Sequence, residues 1–324
     1  QHIGDGSDSA VAAAVVSHWS DGAQEKRRAR TQFLRRTLTS LQNVPGVDFR
    51  TLLLTNRRVA GVDGLVDEQV VIPSPRCGEG LTHNLCMPWE AIKALRFAST
   101  GSVPRRCNLN VQASCGTLKY EFYIYLEDDM ELPTASFQFW ARHADRLYRE
   151  GVLLLPHRRE GATGGVHLTD CFDVDCVRRA TALWDDASGR EPLDGESATD
   201  HVYIRPDNPY AACFLMTRRQ FRDYLQGLEW SFDRKDRDRP SYLLGGVRQV
   251  WGTREQAAGG LLWDPRFGPQ KAVTHLRFSV VHQAPPYCEG PVVFHKVSEY
   301  EEKVEDCARD FRDCDRLVPK RGKK

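Results

Sequence analysis

Apolar runs and helically spaced apolar stripes alternate through the first half of the chain. Residues 10–18 form a short apolar run bounded by polar residues and predict a buried first strand. A helix is expected over 24–41, with Phe33, Leu34, Leu38 and Leu41 at helical spacing. Residues 49–55 and 68–72 read as further strands, and 88–97, opening on Pro88, as a second helix. Residues 107–115 read as a loop before a strand at 120–126. Thr134 is then expected to cap a helix over 135–150, whose Phe137, Trp140, Ala144, Leu147 and Tyr148 form an inward stripe.

Beyond residue 150 the rhythm changes. Residues 151–156, 165–173 and 211–217 look like strands and 218–226 like a helix. A polar, Gly- and Asp-rich insert occupies 185–199, and a charged loop 231–240. Strand–helix alternation in the first half predicts an α/β fold with a mostly parallel, doubly wound central sheet flanked by helices. With no internal repeat and no clean linker, residues 1–324 are expected to form a single domain.

Composition adds little to the fold and something to the setting. The chain is 41% hydrophobic and 27% charged, ordinary for a globular protein. Forty-five basic against 44 acidic residues leave a net charge of +1, which offers no case for a nucleic-acid partner. The basic run Lys26-Arg27-Arg28-Ala29-Arg30, with Arg35 and Arg36, reads as the solvated face of a helix.

The ten cysteines are more telling. Eight fall into the close pairs Cys77/Cys86, Cys107/Cys115, Cys171/Cys176 and Cys307/Cys314. None has zinc-site spacing, and polar, loop-like surroundings suit local disulfides and an oxidising compartment. Cys213, inside an apolar segment, reads as a small buried hydrophobe. The sequence begins with Gln1 and contains no apolar stretch of membrane-spanning length, so a removed signal or an anchor upstream is expected.

The chemistry concentrates where the strand Tyr123-Ile124-Tyr125-Leu126 runs into Glu127-Asp128-Asp129. Three adjacent carboxylates at the tip of a buried strand call for a compensating charge, and a hard divalent cation favours carboxylate oxygens. Ligands of open α/β sheets gather beyond the carboxyl ends of the strands. A phosphate-bearing ligand held through a metal follows from the two together.

An N-terminal strand and helix, a buried strand ending in a DxD-type acidic motif and a mixed second half together resemble a GT-A-fold glycosyltransferase. The motif 125–131, followed by a helix bearing Phe and Trp, is similar to the EDD motif of the N-acetylglucosaminyltransferase I type. Residues 208–218 also resemble a strand-to-helix passage of such enzymes. The resemblance implies a Rossmann-like central sheet with a smaller mixed sheet on the acceptor side. It divides the domain into a nucleotide-sugar-binding half, 1–133, and an acceptor-binding half, 134–324.

Residue by residue, it implies Asp129 as the ligand of Mn²⁺ or Mg²⁺, with Glu127 and Asp128 on the ribose or base side or steadying water around the metal. A late histidine would complete the metal shell. His282 and His295 both follow short apolar runs, and Lys296 beside His295 adds a phosphate-binding cation that favours His295. Ser17, His18 and Trp19, at the end of the first strand, lie where the nucleoside would bind. An inverting enzyme needs a carboxylate base for the acceptor hydroxyl. Glu255, in the first turn of an expected helix capped by Thr253, is the first choice, with Asp264 and Glu229 as rivals. A helix N-terminus there would lower the pKa of Glu255 and weaken it as a base.

The activity so implied is Mn²⁺-dependent transfer of a sugar from a UDP-sugar to a glycan or glycoprotein hydroxyl. The implied setting is the Golgi lumen, with any membrane attachment lying outside this sequence. Two other readings compete. A nucleotidyltransferase would want a Gly-rich phosphate loop after the first strand, where only Asp21-Gly22 stands. A secreted, metal-dependent carbohydrate-binding module would use the acids for structural Ca²⁺, yet EF-hand spacing is absent. A glycoside hydrolase needs two carboxylates facing each other across a bond, which a triplet on one strand end does not supply.

Overall fold

The computed structural model describes residues 9–17, 24–73, 86–100, 118–160, 167–168, 212–226, 241–244, 247–250 and 271–283. In chain order these form β1 (Ser9–Ser17), α1 (Gln24–Gln42), β2 (Val47–Thr55), β3 (Glu68–Val71), α2 (Met87–Thr100) and β4 (Phe122–Glu127). There follow β5 (Met130–Glu131), α3 (Thr134–Arg149), β6 (Val152–Glu160), β7 (His167–Leu168), β8 (Cys213–Thr217) and α4 (Arg218–Gln226). The described residues end with β9 (Ser241–Leu244), β10 (Val247–Val250) and β11 (Lys271–His282).

The central sheet has the order β3-β2-β1-β4-β8. Its first four strands are parallel and β8 runs antiparallel to β4. The protein is thus α/β with a mixed, mostly parallel sheet flanked by helices. Alternation within the strands builds the two faces. Ile124 and Leu126 of β4 join Val11, Ala13 and Val15 of β1 in a core with α1 and α3. Tyr123 and Tyr125 point the other way, with Ala12, Ala14 and Val16, into a core with α2 and α4. Strands buried on both faces lose the polar half of the alternation, hence the continuous apolar runs of β1 and β4.

A second sheet, β5-β11-β6-β7, is also mixed, with β11 parallel to β6 and antiparallel to β5. The two sheets interleave along the chain: β8 returns to the first, and β5 leaves it for the second. Only Asp128 and Asp129 separate β4 from β5. β9 and β10 pair with each other.

Helix α3 buries the expected stripe of Phe137, Trp140, Ala144, Leu147 and Tyr148, with Ser136 and Phe139 besides. Phe122 meets Phe137 and Trp140 edge-on at centroid distances of 5.7 and 5.3 Å. Burying each such aromatic side chain contributes roughly 1.5–3 kcal/mol. Thr134 is not the cap expected of it. It is the first helical residue, Pro133 precedes it without a side-chain cap, and the Thr134 hydroxyl donates instead to the Asn43 carbonyl at 3.4 Å.

The helix expected over 24–41 is present as α1, with Leu34, Leu38 and Leu41 buried and Phe33 half-buried. In α2, Met87 and not Pro88 is the first helical residue. Cys86, just before it, is disulfide-bonded, and Cys213 is a buried thiol. Cys77, the other expected cysteine pairs, the insert 185–199 and the loop 231–240 lie outside the described residues. Among those described, no helix is long and apolar enough to cross a membrane.

Candidate metal and nucleotide site

The order β3-β2-β1-β4 reverses direction at β1, since β2 and β3 lie on one side of it and β4 on the other. The carboxyl ends of β1 and β4 therefore form a topological switch point, where open α/β sheets bind ligands. Val16 pairs with Glu127 there, which puts Ser17 beside the acidic turn.

The three acids are differently placed. Glu127 is half-buried, accepts a hydrogen bond from the Tyr125 hydroxyl at 3.2 Å, and donates its amide to the Ala212 carbonyl at 3.0 Å. Ala212, immediately before β8, holds a left-handed backbone (φ 55°) in a buried position. That conformation costs a non-glycine residue about 1–2 kcal/mol.

Asp128 is buried. Its Oδ2 accepts from the Ser17 hydroxyl and from Arg30 Nε at 2.5 Å, and its Oδ1 accepts from Arg30 Nη2 at 3.0 Å. Burial pushes the Asp128 carboxyl up, with Arg30 pulling hardest against it. Burial also works against the Arg30 charge, but the pull of Asp128, reinforced by Asp129 and Glu127, outweighs it and raises the guanidinium.

Asp129 is more open, with 27% of its side chain exposed, and its Oδ2 lies 3.2 Å from Nε2 of the buried His282. The main chain of the turn is held as well. Thr37 donates its hydroxyl to the Asp128 carbonyl at 3.0 Å, and the Gln283 amide donates to the Asp129 carbonyl at 2.8 Å. Gln283 Nε2 in turn donates to the Thr37 hydroxyl at 3.2 Å.

A carboxylate oxygen and an imidazole nitrogen are a donor set that Mn²⁺ accepts. Adjacent ligands of an octahedral cation with bonds of about 2.1 Å stand about 3 Å apart. The 3.2 Å between Asp129 and His282 suits that arrangement. Among the described residues no cluster of three or more His, Cys, Asp or Glu side chains is assembled to hold a metal. Two protein ligands would leave the remaining positions of such an ion to water or phosphate oxygens.

Of the residues singled out from sequence, Ser17, Glu127, Asp128, Asp129 and His282 come together at this point. His18, Trp19, Glu229, Glu255, Asp264, His295 and Lys296 lie outside the described residues. Sequence reasoning missed Arg30, Thr37 and Gln283. The basic run places Arg30 on the solvated face of α1, where Arg28, Arg35 and Arg36 are indeed exposed. The overlooked signal was its phase, because positions 30, 34, 37, 38 and 41 share one helical stripe, and a cation on an inward stripe needs a partner.

No protein-family model matches the chain, and no curated protein matches it.

Proposed function

We propose that this protein is a metal-dependent glycosyltransferase of GT-A type, moving a sugar from a UDP-sugar to a hydroxyl of a glycan or glycoprotein in the Golgi lumen. The observation that supports this most is the meeting of Asp129 and His282 beside the switch point of a mostly parallel sheet. Asp129 and His282 would hold the cation, and Glu127 and the end of β1 would lie on the nucleoside side. A bound Mn²⁺ or Mg²⁺ supplies positive charge against the diphosphate that departs as the sugar–phosphate bond breaks. The acceptor hydroxyl attacks the anomeric carbon and yields its proton to a carboxylate base, for which Glu255, Asp264 and Glu229 are the candidates.

Thermal unfolding with UDP and Mn²⁺ tests the reading. Wild type is expected to rise in Tm only when both are present, and Asp129→Ala to lose that rise. A rise with Ca²⁺ alone, unaltered by UDP, points instead to a carbohydrate-binding module. Hydrolysis of UDP- and GDP-sugars with Mn²⁺ then identifies the donor, and no binding or hydrolysis of any nucleotide-sugar refutes the proposal.

A further inference from the structure

Asp128 and Asp129 are neighbours on a two-residue turn, so the side chain that fixes one constrains the other. Asp128 cannot serve as an open ligand in this arrangement, because Arg30 engages both of its oxygens and Ser17 one of them. The grip runs from α1 to the tip of β4, between residues 98 apart in the chain. The end of β11 reaches the same turn through His282 and, one residue on, Gln283, which also bonds Thr37 of α1. The turn is thus fastened both by an ion pair from α1 and by the end of a strand.

We propose that Arg30 is a positioning residue for the metal site: its two-pronged hold on Asp128 sets the direction in which Asp129 meets His282, and so sets the affinity for the cation. This rests on the glycosyltransferase reading only in assuming that Asp129 and His282 bind a metal. Groups that orient metal ligands without touching the metal commonly change affinity by about 10- to 100-fold when altered. Geometry and not charge carries the effect, since a lysine supplies the same charge without the planar fork.

Two charge-conserving variants separate this role from a general contribution to folding. Arg30→Lys keeps the cation and loses the two-pronged geometry. The double variant Arg30→Met with Asp128→Asn removes both charges, leaves no buried ion unpaired and preserves net charge. Mn²⁺ binding is read by the loss of the free-ion signal in electron paramagnetic resonance, alongside circular dichroism and Tm for folding. Both variants are expected to fold and to bind Mn²⁺ about 10-fold or more weakly than wild type, with an altered bound-ion spectrum. Wild-type affinity in either folded variant overturns the proposal while leaving the glycosyltransferase reading intact. Failure of the wild type itself to bind Mn²⁺ overturns both.

Discussion

Asp128 and Asp129 share a turn but face different surroundings, and the contrast arises from what meets each side chain. Asp128 is enclosed by Ser17 and Arg30, while Asp129 keeps part of its surface in solvent beside His282. Breaking a buried ion pair by removing one partner strands the other charge. Arg30→Met is therefore expected to cost about 3 kcal/mol near neutral pH, the lower end for such losses because Arg30 is 39% exposed. Burial raises the Asp128 carboxyl above its unfolded value, so the folded state gives up that proton later than the unfolded chain. The stranded carboxylate then weighs on stability as pH rises through the interval above the ordinary aspartate value. The deficit of Arg30→Met should grow as pH rises through that interval and be lost below the ordinary aspartate value, where Asp128 is neutral in both states. Urea unfolding across that range checks the sign.

Among the elements, those built of a single unbroken period were legible in the sequence. The stripes of α1 and α3, the apolar runs of β1 and β4, and the α4 bounds of Arg218–Gln226 all follow from local pattern. β11 did not, and its register explains why. Thr274 pairs with Leu155 but the next matched pair is Ser279 with His157, so residues 275–278 bulge opposite Pro156 alone. Proline offers no amide to the ladder, and the irregularity breaks the two-residue alternation by which a strand is recognised. β5, only two residues long, has no period to read. The start of α3 departs from expectation for a related reason: a threonine before an amphipathic stripe looks like a cap, yet its hydroxyl is used by a tertiary contact. Thr134→Ala should therefore cost under about 0.5 kcal/mol, where loss of a true cap costs about 1 kcal/mol. Thermal unfolding of that single variant distinguishes the two.

Across the whole molecule, the site was half visible from sequence because only half of it is local. Glu127 to Asp129 and their strand are contiguous, and the switch point follows from strand order. Arg30, Thr37, His282 and Gln283 arrive from distant segments, and no spacing rule announces a meeting across the full fold. His282 pairs with Met130 in β5 only because the second sheet brings β11 alongside.

That meeting bears on the order in which the chain folds. The hydrogen bond between Asp129 and His282 spans 153 residues of chain, and the entropy of closing so long a loop must be met before the contact returns anything. The acidic turn is therefore expected to acquire its final shape only when both sheets are in place. The amide of Gln283, bonded to the Asp129 carbonyl, should then exchange with solvent only through global unfolding, at the rate of the slowest amides of β4. Exchange at Gln283 much faster than in β4 would instead reveal a β11 that detaches on its own while the first sheet stays folded. With Gln283 exchanging as slowly as β4, the cation binding proposed for this turn would report that folding of residues up to Gln283 is complete.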